Sequence, residues 1–185
     1  MKIVVGLGNP GERYKETRHN AGFMFVERLR NTLINRGYSF QEWENEAIFN
    51  AQISKGTIDG QDILLVKPQL FMNRSGEVVA KILEKKNVAD LNSSLVLIHD
   101  DLDIKLGQYK IQYQVSPKGH NGVNDVEAKV HGVDFLRVRV GVDDREDRNM
   151  PPDAYVLERL DEVTLSKLSA VLDEAIEVFT SQLLS

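Results

Sequence analysis

The 185-residue chain contains no cysteine, which excludes disulfides, thiolate-held metals and cysteine nucleophiles. Long apolar runs are equally missing, and none approaches the roughly 20 residues that a membrane-spanning helix needs. Lys2 leads straight into a short apolar strand rather than a charged-then-apolar leader, so the cytoplasm is the expected compartment. No internal repeat or low-complexity tract is visible. Positive charge is in deficit: 23 Lys and Arg against 28 Asp and Glu leave a net charge of −5. Read as a total, that argues against a polyanionic partner. Read by segment it does not, because residues 1–36 hold seven basic and three acidic side chains and residues 104–142 hold six and three. The acidic excess sits in residues 37–103, at −5, and in residues 143–185, at −7. A local basic face on an acidic protein is one reading, and a polyanion responds to the local face. Charges scattered over solvated helix surfaces are the other.

What is present fits an ordinary globular protein, 42% apolar and 28% charged, long enough to bury a core and expected to form a single domain over residues 1–185. The first twenty residues organise it. Ile3-Val4-Val5 reads as a buried strand, a Gly-Asn-Pro-Gly turn follows, and His19 arrives just before a helical pattern that begins at Ala21. Gly6-Leu7-Gly8-Asn9-Pro10-Gly11 has the glycine spacing of dinucleotide-binding folds. In those folds, however, the helix starts inside the glycine motif and an acidic residue closes the second strand about 20 residues on. Here residues 12–20 are polar and charged, and Glu27 falls inside a helix, so a nicotinamide-dependent oxidoreductase is disfavoured.

Phe23, Val26, Leu29 and Leu33 form one stripe of a first helix that stops near Gly37. Residues 46–55 and 61–67 read as two strands flanking Gly56-Thr57-Ile58-Asp59-Gly60, the second nearly all apolar and therefore central. A second helix follows Phe71-Met72-Asn73-Arg74-Ser75-Gly76, with Asn73 or Ser75 as its expected cap. Leu95-Val96-Leu97-Ile98 is a further buried strand that delivers His99, Asp100, Asp101 and Asp103 at its carboxyl end, where sites collect in open α/β sheets. Three aspartates in five residues raise a divalent cation as a possibility, but no second carboxylate cluster or phosphate-loop lysine accompanies them. One inward aspartate with solvated neighbours, and no metal, is the expectation. Residues 108–113 alternate as a strand with one wet face, and Val123, Val126 and Val130 mark a helix. In residues 135–142, Arg137 and Arg139 share one strand face, suited to phosphate contacts or to simple solvation. Asp161 or Thr164 is placed to cap a last helix with an acidic outer face.

Five motifs in this order, Gly6-Leu7-Gly8-Asn9-Pro10-Gly11, Tyr14-x-x-Thr17-Arg18-His19-Asn20-x-Gly22, Lys67-Pro68 with Phe71-Met72-Asn73-x-Ser75-Gly76, His99-Asp100-x-Leu102-Asp103 and Gly119-His120-Asn121-Gly122, closely resemble the bacterial-type peptidyl-tRNA hydrolases. The resemblance implies an α/β fold with a twisted mixed β-sheet surrounded by helices. It implies an enzyme that cuts the ester between a peptide and the 3′ ribose of tRNA, with no cofactor, acting as a monomer on peptidyl-tRNA as its nucleic-acid partner. Carried over position by position, His19 is the general base, Asp100 the carboxylate that holds it, and Asn9 the residue that senses a blocked aminoacyl nitrogen. Tyr14, Phe71, Asn73 and Asn121 fall on substrate-contacting positions. A homologue that binds RNA on the same fold without hydrolysis is the alternative.

The chemistry suits these residue types. Histidine takes and returns a proton near neutral pH, an ionised aspartate on its far nitrogen fixes the tautomer, and amides donate to an oxyanion without adding charge. Of the four histidines, His99 and His120 flank motifs and His131 ends a helix. One departure stands out: Gln114-Val115-Ser116-Pro117-Lys118 replaces the family's usual glycine-rich run, and Gln112 replaces a usual basic residue. Lys110, Lys118, Arg137 and Arg139 are the expected phosphate contacts in their place.

Overall fold

The computed structural model describes residues 1–115, 119–146 and 149–183. Its frame is one mixed sheet built from β1 (Lys2–Gly6), β2 (Ser39–Phe40), β3 (Glu44–Glu46), β4 (Ala51–Ile58), β5 (Gln61–Pro68), β6 (Leu95–Lys105), β7 (Tyr109–Tyr113) and β8 (Leu136–Asp143). The order is β2-β4-β5-β1-β6-β8-β7, with β3 pairing β4. The four middle strands β5, β1, β6 and β8 run parallel, and the flanking strands are antiparallel. This is the expected twisted-sheet class, and β1, with Ile3, Val4 and Val5 fully buried, lies in its middle. A continuous apolar run suits a strand covered on both faces.

Helices α1 (Ala21–Asn35), α2 (Ser75–Lys85), α3 (Leu91–Ser94), α4 (Asn121–Val130), α5 (Pro152–Val156) and α6 (Glu162–Leu183) supply that cover. Side chains of alternating parity on the strands feed two cores. Val4, Leu65, Val96, Ile98, Val138 and Val140 pack with Phe25, Leu29 and Phe179 from α1 and α6. Ile3, Val5, Leu64, Val66 and Leu97 pack with Val79, Ile82, Val123 and Val126 from α2 and α4. Helix α1 can approach β1 closely only because residue 22 is glycine. A Cβ there would lie 2.4 Å from the Leu7 amide nitrogen and 2.5 Å from the Ile98 carbonyl oxygen.

Several expectations are corrected. The β4–β5 turn is only Asp59-Gly60, both at positive φ (47° and 84°), the pattern of a type I′ hairpin; Gly56 lies inside β4. Strand β6 does not end at Ile98 but runs to Lys105, so His99–Asp103 lie within the sheet. Every residue of β8 is buried, including both arginines: Val138, Val140 and Val142 lie in the core under α1 and α6, and Glu127 of α4 covers Arg137. Neither Asn73 nor Ser75 caps α2; its Gly76 amide donates instead to Asp125 Oδ2 of α4 at 2.7 Å. Asp161 does cap α6, accepting the Thr164 amide at 2.7 Å. Among the described residues no helix is long and apolar enough to cross a membrane.

Candidate active site

The loops that leave the carboxyl ends of β1, β5 and β8 gather with the start of α4 around the far end of β6. After β1 the chain passes two single 3₁₀ turns, Glu12–Tyr14 and Arg18–Asn20, before α1 begins. Two asparagines pin this segment across the turn. The Asn9 amide donates to Asn20 Oδ1 at 2.8 Å, and Asn20 Nδ2 donates to the Asn9 carbonyl at 3.0 Å. Asn20 is 2% exposed, so the clamp is dry. Helix α1 packs tightly through Gly22, and His19 is thereby fixed between an asparagine clamp and a packed helix.

His19 meets Asp100, 81 residues further on, with Nδ1 3.0 Å from both carboxylate oxygens. A second imidazole reaches the same carboxylate: His120 Nε2 lies 2.9 Å from Asp100 Oδ1. Its tautomer follows from its other nitrogen. Nδ1 of His120 accepts the Val123 amide at 3.2 Å as the cap of α4, so the ring proton resides on Nε2 and is donated to Asp100. Asp100 therefore accepts from two imidazoles, and His19 donates through Nδ1, with no hydrogen bond to its Nε2 among the described residues. Burial alone would lower the pKa of His19. The charge and hydrogen bond of Asp100 outweigh it, Asp153 adds a smaller push, and the net direction is upward from 6.5. For Asp100, burial pushes upward, but the two imidazoles hold it well below the usual carboxylate range. His99, fully buried beside them, is pushed down to about 3 by desolvation first and by His120 second. Its Nδ1 bonds the Asp100 carbonyl oxygen at 2.7 Å, so it is a neutral donor behind the site.

The other expected residues divide into a buried pole and an exposed rim. Asn9 is buried, and its Oδ1 accepts the Met72 amide at 2.8 Å, which leaves only the Nδ2 protons to offer a ligand. Met72 in turn lies under Gly122, where an added Cβ would meet its Sδ at 2.4 Å, so residues 9, 72 and 121–122 converge. Asn73 and Asn121 are exposed, and Phe71, 53% exposed, stands edge-on to Tyr14 with ring centroids 6.3 Å apart. A cavity of about 380 Å³ opens beside the dyad, lined among others by His19, Asp100, Asp103, His120, Asn121, Arg145 and Asp153. A second hollow of about 230 Å³ reaches Asn9, Asn20 and Lys67. A wider depression, about 820 Å³ around Tyr38 and Phe40, touches none of these groups.

Two of the expected phosphate contacts are not presented to solvent. Arg137, fully buried, is bonded to Glu127 at 2.6 Å, and Arg139 to Asp101 at 2.8 Å and Gln112 at 2.9 Å. Both guanidiniums answer carboxylates inside the fold, Glu127 of α4 and Asp101 of β6. Asp101, in turn, is buried against Arg139 and not solvated as expected. Lys110 stands exposed on the edge strand β7, and Lys118 lies outside the described residues. Sequence reasoning assigned no role to Asn20 or His120. The only advance signal for them was their place inside the TRHN and GHNG motifs.

Ligand atoms of His19, Asp100 and His120 lie within 4.8 Å of one another, close enough to raise a metal centre. The tautomer argues otherwise. A metal on His120 Nε2 would move the ring proton to Nδ1, which the Val123 amide already faces as a donor. The donor set fits a shared proton network better than a cation.

A mixed α/β sheet with an imidazole–carboxylate pair at the carboxyl edge of its parallel strands has the make-up of an enzyme site. The chain belongs to the peptidyl-tRNA hydrolase family, whose sequence model matches residues 3–185. It is 35% identical over 181 residues to the peptidyl-tRNA hydrolase of Neisseria meningitidis serogroup C, covering 94% of this chain and 90% of that one. The enzyme of Neisseria gonorrhoeae is 36% identical over 180 residues at the same coverage. Among solved structures, the peptidyl-tRNA hydrolase of Acinetobacter baumannii superposes with a TM-score of 0.84 at 31% identity, covering 96% of this chain and 85% of that one.

Proposed function

We propose that this chain hydrolyses the ester between the carboxyl end of a peptide and the 3′ ribose oxygen of tRNA, releasing the tRNA. The mechanism is supported by the 3.0 Å bond from His19 Nδ1 to Asp100, with His19 lining the cavity and its Nε2 bonded to nothing among the described residues. Nε2 takes a proton from water as the water oxygen attacks the ester carbonyl. The negative charge moves to the carbonyl oxygen, and the imidazolium that forms is stabilised by Asp100. Collapse of the tetrahedral species breaks the bond to the 3′ oxygen, and His19 returns the proton to that leaving oxygen. Asn9 is suited to donate to a carbonyl or oxyanion, since its own oxygen is committed to the Met72 amide. Asn73 and Asn121, exposed at the rim, are the proposed contacts for the peptide and the 3′ end, with Tyr14 and Phe71 as an aromatic edge. Lys110 is the proposed phosphate contact.

Hydrolysis of N-acetyl-aminoacyl-tRNA by the wild type and by His19→Ala tests this. Loss of a general base lowers kcat by about 10² to 10⁴-fold. Equal rates for the two proteins would remove His19 from the role, and tight tRNA binding with no turnover by the wild type would turn the reading to RNA binding alone.

A further inference from the structure

The TRHN segment contains a residue that the mechanism above does not use. Arg18 is 8% exposed, next to His19 in the same 3₁₀ turn. We propose that Arg18 is a positioning residue for the reaction: stacked on Tyr155 and bonded to Asp144, it holds helix α5 against the turn that carries His19, so that Pro152, Asp153 and Val156 wall the reaction cavity.

The guanidinium carbon lies 4.0 Å from the Tyr155 ring centroid, and Nη2 donates to Asp144 Oδ1 at 2.9 Å. Tyr155, itself buried, closes the triangle. Its hydroxyl is bonded to the Asp144 carboxylate, and the same oxygen accepts the Asp144 amide at 3.0 Å. A second tie runs just beyond α5, where the Leu160 amide donates to the Glu16 carbonyl at 2.8 Å and Arg159 pairs with Glu16 at 2.7 Å. The chain segments before His19 and around α5 are thus fastened at two points. A turn has no need of a buried cation, and desolvating one is costly unless its partners compensate. Only a planar guanidinium can lie flat on a ring and donate sideways at once, which lysine cannot do. Arg18 Nε is buried with no partner among the described residues, consistent with a side chain placed for its stack.

The proposal rests on reading His19 as the base, and its test is separable from that reading. Arg18→Lys keeps the charge and loses the plate. The groups facing His19 are Asp100 and His120, with Asp153, Asp101, Asp103 and Arg145 around the cavity. Asp153 adds to the upward displacement of the His19 midpoint, so Asp153→Asn in the wild-type background lowers that midpoint in an NMR titration of the ring. In the Arg18→Lys background the midpoint is already lowered, Asp153→Asn moves it little further, and kcat/KM for N-acetyl-aminoacyl-tRNA falls by about ten- to a hundredfold. Should Arg18→Lys fail to fold, Asp144→Asn, at a side chain 36% exposed, gives the same direction with a smaller effect. Equal shifts from Asp153→Asn in both backgrounds overturn the proposal. So does an Arg18→Lys protein with a lower melting temperature but unchanged kcat/KM and midpoint. The ring titration needs no turnover, so an inactive wild type or an active His19→Ala would count against the hydrolytic reading alone.

Discussion

On the proposed mechanism the free nitrogen of His19 takes a proton from water only when it is unprotonated, and burial is outweighed by Asp100 so that its pKa is raised from 6.5. Activity should therefore rise with pH through a midpoint above 6.5. Asp100→Asn removes the charge that raises it while burial still lowers it, so the acid limb should move to lower pH. The rate on its plateau should fall by about 10⁴-fold, since an amide presents the imidazole with the wrong partner. A limb that stays in place would detach Asp100 from His19. The same residues predict how stability varies with pH. The His19 pKa is raised on folding, so its contribution is fully present below 6.5 and lost as pH rises through the folded value. Asp100 is lowered, so its contribution is present above its ordinary 3.8 and lost as pH falls through the folded value. His99 acts oppositely to His19: lowered to about 3, it stays neutral when folded while the unfolded chain takes up a proton below 6.5. Stability should fall from pH 6.5 toward 3 by several kcal/mol. Urea midpoints of His99→Phe across that window should show a flatter slope than the wild type, and an unchanged slope would assign the acid sensitivity elsewhere.

At the level of elements, a single glycine sets the seat of the dyad. Gly22→Ala places a methyl 2.4 to 2.5 Å from backbone atoms of Leu7 and Ile98, which no rotamer can relieve. Helix α1 must lift from β1, at a cost of more than about 3 kcal/mol, and urea unfolding would read it directly. Asp125→Ala should cost about 1 kcal/mol, because α2 has no cap of its own and borrows that carboxylate from α4. A null effect in urea unfolding would remove that capping role. The borrowed cap also shows why sequence alone misplaced it. Asn73 and Ser75 have the right residue types at the right spacing, but the bond that forms spans 49 residues. Local periodicity gave α1, α2, α4, α6 and the apolar strands closely, since each is written in near-neighbour pattern. The extension of β6 into His99–Asp103 depends on which strand lies beside it, and the burial of β8 on which helices pack over it. No pattern within a strand carries that information.

The charge pattern has to be judged on the whole molecule. Segment sums along the chain left a basic face open, with Arg137 and Arg139 in one of the two basic segments, yet both cations are consumed by Glu127 and Asp101 inside the fold. Sequence sums count charges, whereas a polyanion responds only to those that reach solvent unneutralised. The two arginines and Lys110 should therefore behave differently in one experiment, tRNA affinity measured across a salt series. Lys110→Ala should reduce the slope of log affinity against log salt by about one, as expected for a lost phosphate contact. Arg139→Ala should leave the slope unchanged and lower stability instead, by about 3 to 5 kcal/mol, because Asp101 would remain buried without its cation. That residue is 2% exposed, and Arg139 is the cation it is paired with. A reduced slope for Arg139→Ala at unchanged stability would mean that the guanidinium leaves Asp101 for the backbone of tRNA, and that the ion pair seen here opens when substrate binds.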